Sequence, residues 1–100
     1  MKINNEFRND LDLYLAKLGM YVPIVARVHG KHHPQIYKVK DIFEVIVSKT
    51  DKGISDINLD EEFNQLKEIT HNYLVPNDVC ESYEAVYNML QTLNNSYDKR

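Results

Sequence analysis

The chain holds one cysteine, three glycines and three prolines in 100 residues. A lone thiol, Cys80, cannot close an intramolecular disulfide, so a disulfide scaffold is excluded and a reducing compartment fits. No basic face of the kind that neutralises phosphates is present: the net charge is −3, with Lys and Arg scattered among Asp and Glu, which argues against nucleic acid as partner. No run approaches the roughly 18 apolar residues that a membrane span needs, which argues against a membrane partner. Near the N-terminus, Asp10, Asp12 and Lys17 interrupt what would be the apolar core of a signal peptide, so a cytoplasmic location is expected. Internal repeats and low-complexity tracts are lacking. No Ser/His/Asp set, glycine-rich phosphate loop or pair of buried carboxylates can be identified, so nothing marks the chain as an enzyme. What remains is an ordinary globular mix, 43% apolar and 27% charged, of a length suited to one domain with one core.

Helical spacing dominates that mix. Phe7, Leu11, Tyr14, Leu18, Tyr21, Val25 and Val28 alternate in steps of four and three, the seam of a helix packed on near-parallel neighbours. The seam runs through Pro23, whose ring would clash with the carbonyl of Gly19 in a regular helix. One long helix over 4–29, kinked near Gly19–Pro23 and ended by Gly30, is expected, with a break into two helices as the alternative. A second helix starts at Pro34, presents Ile36, Val39, Ile42, Phe43, Ile46 and Val47, and closes at Lys49, Lys52 and Gly53. For a third, Asn58 is the expected cap with Glu61 three residues on, and Leu59, Phe63, Leu66, Ile69 or Thr70, and Tyr73 form its face. A fourth opens at "VPNDVCESY" with Pro76 in its first turn and carries Val79, Tyr83, Val86, Tyr87, Leu90 and Leu93. Four amphipathic helices with short turns predict a single all-α domain, an antiparallel four-helix bundle.

Three of the four histidines fall within "RVHGKHHPQIY". His29, His32 and His33 would share one helix face and could ligate a metal. Gly30 and Pro34 bracket them, however, which places them in an inter-helix turn, with His29 packed at the end of the first helix, His32 solvated and His33 capping the second. Glu68 and His71 have the Glu-x-x-His spacing of di-iron bundles, but such a site needs two copies and further carboxylates, and only one copy is present. Cys80 is read as a buried structural cysteine near the start of the fourth helix. A reactive thiol lowered by the helix dipole is the competing reading.

The stretches "YVPIVARVHGKHHPQIYKV" and "EITHNYLVPNDVCESYEAVYNML" resemble two segments of the iron–sulfur cluster repair di-iron proteins, which carry a hemerythrin-like domain. The first looks like that family's Y-V-x-K-V-x-x-V-H-G-x-x-H-P. The second is similar to its L-T-x-x-Y-x-x-P-x-x-A-C-x-x-Y-x-x-L-Y-x-x-L. Together they span Leu18 to Leu93 with a shortened middle. The resemblance implies a hemerythrin-like four-helix bundle. It also implies a di-iron site whose ligands are mostly absent. The family's first-helix histidine would fall near Phe7 and Arg8, its second-helix His-x-x-x-Glu near Gly53 to Ile57, and its third-helix histidine near Asp56. His29 matches a family histidine and Cys80 a family cysteine.

The function expected is therefore a helical relative of the repair proteins without a di-iron site, acting by protein contact, as a homodimer or with a partner, in iron, nitrosative or oxidative stress. No cofactor is called for in that reading. The first helix, with an extra apolar set at Leu13, Leu15 and Met20, is the expected contact surface. The rival is an iron-binding repair factor using His29, His32, His33, Glu68 and His71.

Overall fold

The computed structural model describes residues 4–51 and 57–99. They form four helices, α1 (Asn5–His29), α2 (Gln35–Asp51), α3 (Asp60–Ile69) and α4 (Glu81–Asp98), with no strand among the described residues. The chain is an all-α four-helix bundle around one core. Lys52, Gly53 and Asp56, on which part of the sequence reading falls, lie outside the described residues.

Helix α1 begins where Asn4 accepts a hydrogen bond from the Phe7 amide at 2.7 Å, satisfying one of the donors that a helix start leaves open. The Asn4 amide nitrogen donates in turn to the Ser96 carbonyl at 2.8 Å, so the cap also ties α1 to the far end of α4. Ser96 holds Asp10 through its hydroxyl as well. At the other end of the pair His29 meets Cys80, the N-cap of α4, and the two helices run in opposite directions. Helix α1 also packs on α2, and α2 on α3.

The helix is continuous through Pro23. Pro23 and Gly19 are both exposed, so the Gly19 carbonyl that loses its amide partner faces solvent, where water can satisfy it. Its core residues differ from the sequence seam in one respect. Phe7, Leu11, Leu18 and Val25 are buried as expected, but Val22 and Ala26 are buried as well, Tyr14 and Tyr21 are half-buried, and Val28 is 59% exposed. A straight helix drifts by about 20° per heptad against a 3.5-residue repeat, and three heptads turn Val28 out of the core.

Helix α2 buries Ile36, Val39, Phe43 and Ile46, with Ile42 and Val47 at the margin. Helix α3 is not closed by the expected capping box. Asn58 accepts from the Asp60 amide at 2.9 Å, two residues on rather than three. The buried N-cap is Leu59, and its amide donates to the Tyr97 hydroxyl of α4 at 2.8 Å, while that hydroxyl donates to Asp60 Oδ1 at 2.8 Å. The rings of Phe7, Phe63 and Tyr97 pack together beneath this point, with centroids 5.1 to 6.0 Å apart. On the flank of α3, Lys49 reaches Glu62, 8% exposed, at 2.8 Å.

Two boundaries also differ from the sequence reading. Helix α3 ends at Ile69, so Tyr73 is not on its face. His71, Asn72 and Tyr73 all take left-handed backbone conformations, with φ of 53°, 61° and 64°. Thr70 holds this turn, donating to the Leu66 carbonyl at 2.6 Å and accepting from the Tyr73 amide at 2.8 Å. Pro76 lies in the connection that follows, not in α4, which starts five residues later.

Candidate functional site

The functional reading of the sequence converges on the corner where α1 turns into α2. Gly30 has helical dihedrals, φ −60° and ψ −30°, so the glycine is not required by a left-handed cap. It is required by space: a Cβ there would lie 2.1 Å from the Tyr37 ring and 2.5 Å from the Ala26 carbonyl oxygen. The turn is closed by His32 and His33 amides donating to the His29 carbonyl at 3.1 and 2.8 Å. The next segment of backbone to reach this corner is the connection between α3 and α4.

That connection brings two partners. Cys80 Sγ lies 3.1 Å from His29 Nε2, and Asp78 Oδ1 lies 2.9 Å from His33 Nε2. Cys80 takes an extended conformation, φ −81° and ψ 170°, and makes no side-chain cap, which leaves its sulfur for the imidazole. It is exposed, not the buried structural cysteine that its neighbours suggested; only Val79 beside it turns inward. His33 uses its ring on Asp78 rather than capping α2, and Asp78 is itself largely in solvent. Both imidazoles stand edge-on to Tyr83, with centroids 5.4 and 5.8 Å away.

Behind them lies a buried pair of phenols. Tyr83 and Tyr87 hydroxyls are 3.0 Å apart and their rings 4.8 Å. Burial pushes both phenols above the ordinary tyrosine range; for Tyr87 the hydrogen bond with Tyr83 adds to it. Both stay protonated at neutral pH and offer hydroxyl groups, not charge, to this end of the bundle.

The remaining candidates are elsewhere. His32 is exposed at the turn. Glu68 is exposed on α3, where it borders a groove with Lys38, Asp41, Ile42, Gln65 and Ile69. His71 stands in the left-handed turn beyond the helix, so Glu68 and His71 do not share a helix face. Among the described residues no three His, Cys, Asp or Glu side chains come close enough to hold one metal ion. The corner is thus two separate pairs, a thiol with an imidazole and an imidazole with a carboxylate. Sequence reasoning missed Asp78 and Tyr37, because neither has a motif partner nearby in the chain.

A second feature is the outward face of α1. Leu13, Met20, Ile24 and Val28 are 67%, 65%, 49% and 59% exposed, while Leu15 turns partly into the core. Among the described residues no helix is long and apolar enough to cross a membrane.

No family model, no curated protein and no solved structure matches the chain.

Proposed function

We propose that the protein works by protein contact, as a helical relative of the iron–sulfur cluster repair proteins that lacks a di-iron site, in iron, nitrosative or oxidative stress. The observation that carries the contact role is the exposed apolar face of α1. Four large apolar side chains on one side of a single helix, opposite its core face, are costly to leave in water and typical of a surface that another protein covers. The family relation rests on the two sequence stretches. Two of the residues in them that match family positions, His29 and Cys80, are 51 positions apart and lie side by side. A three-donor iron site within one chain finds no support in the arrangement of His29, His32, His33, Glu68 and His71.

A photo-crosslinking residue in place of Met20 tests the contact role in cells. The expected result is a covalent adduct with a protein, absent when the crosslinker replaces Lys38 on the exposed face of α2. An absence of any adduct at Met20 would reject this function. Iron analysis after anaerobic loading tests the rival: near-stoichiometric iron that disappears in His29→Ala would establish it.

A further inference from the structure

We infer that the occupant of the α1 face is a second copy of this chain, laid antiparallel along the same helix about a two-fold axis near Met20. This rests on the contact role proposed above and names its partner. At a rise of about 1.5 Å per residue the 25 residues of α1 extend ~37 Å. That equals the longest dimension of the molecule, 37 Å; with Met20 on the axis the two copies of α1 lie side by side over residues 11–29, about 27 Å at that rise.

Charge selects the partner and its direction. Residues 4–16 carry Glu6, Asp10 and Asp12 against Arg8, whereas residues 17–31 carry Lys17, Arg27 and Lys31 and no acid. A parallel copy sets like charge against like. An antiparallel copy sets each acidic half on a basic half, twice, as an isologous contact demands. With Met20 on the axis, Asp12 falls within one residue of the level of Arg27 of the second copy, and Asp10 within one of Lys31. Asp12, Arg27 and Lys31 are exposed and make no ion pair among the described residues. The helix dipole accounts for acids at one end and bases at the other. It does not account for Leu13, Met20, Ile24 and Val28 turned to water between them.

A pairing by one helix from each copy is small, at or below ~1,200 Å² in total, and such contacts are transient, so dissociation on the order of micromolar is expected. Sedimentation equilibrium of the full chain reads it directly. Met20→Glu sets two carboxylates together on the axis and weakens association by at least about tenfold. The helicity and melting of that variant stay unchanged because Met20 is already in solvent. Asp12→Arg and Arg27→Asp each weaken pairing, and the chain carrying both recovers it to within about threefold of wild type, which a parallel arrangement does not predict.

A wild-type chain that remains monomeric to about 1 mM overturns the inference, as does a dimer indifferent to Met20→Glu or a double swap that fails to recover. Adducts at Met20 with a different protein, from a chain that does not self-associate, overturn self-pairing and leave the contact role standing. No adduct with any protein removes both.

Discussion

At the scale of single residues, the corner between α1 and α2 turns on Gly30. The sequence reading made it a helix terminator, and it does follow the last helical residue. Its reason is different: the Tyr37 ring occupies the volume where any side chain would begin. Gly30→Ala is expected to lower unfolding free energy by about 1–3 kcal/mol in urea titrations, since overpacking at a fixed backbone forces neighbours to move. Tyr37→Ala in the same chain should recover part of that loss; no recovery would assign the cost to the Ala26 carbonyl alone. His29 was legible as a residue packed at the end of its helix, because its position follows from the helical period. Its partner was not, because Cys80 reaches it from a segment 51 positions away. The same holds for His33 and Asp78, where a local capping role was expected and a long-range pair formed instead.

At the scale of elements, α3 is the weakest and the most dependent. Ten residues are below the length at which a helix holds itself together in water, and its buried N-cap has no side-chain acceptor. Tyr97 supplies that acceptor from α4 and closes the arrangement by donating to Asp60. Tyr97→Phe keeps the ring in its aromatic cluster and leaves the buried Leu59 amide without a partner. The expected cost is about 1–3 kcal/mol, with early loss of hydrogen-exchange protection in α3 relative to α1. Equal loss of protection in all four helices would mean that α3 has no separate stability to lose. The capping box expected at Asn58 and Glu61 was a reasonable local pattern. It lost to a tertiary donor–acceptor pair that no window of sequence around α3 contains.

At the scale of the whole molecule, three of the tyrosines buried on and around α4, Tyr73, Tyr83 and Tyr87, shape how the bundle responds to alkali. Burial pushes Tyr73 up to about 12, with its hydrogen bond from Asn94 a smaller opposing effect, and Tyr83 and Tyr87 are also raised. In the unfolded chain these phenols ionise near about 10. A group whose pKa is raised on folding contributes stability below its unfolded value and loses it as pH climbs toward the folded one. Melting temperature should therefore fall between pH 10 and pH 12, and the part of the phenolate absorbance that comes from the buried tyrosines should rise with unfolding rather than before it. Tyr73→Phe should flatten that fall. If the part of the phenolate absorbance that Tyr73→Phe removes rises near about pH 10 while the fold is intact, that hydroxyl is open to water.

Sequence alone determined the four helices, most of their inward faces and the turn at "HGKHHP", because the 3.6-residue period, caps and breakers are local properties that neighbouring residues impose on one another. It misplaced Val28, where a small mismatch between two periods accumulates over three heptads, and the start of α4, where Pro76 imitates a helix signal. Tertiary structure alone decided that of three histidines in five positions one meets a thiol, one a carboxylate and one the solvent, and that they do not gather. It also decided that α1 keeps a second apolar side uncovered. Hydrogen bonds and ion pairs depend on distances of about 3 Å between atoms, and burial depends on what every other helix covers. Neither quantity exists until the chain has closed on itself.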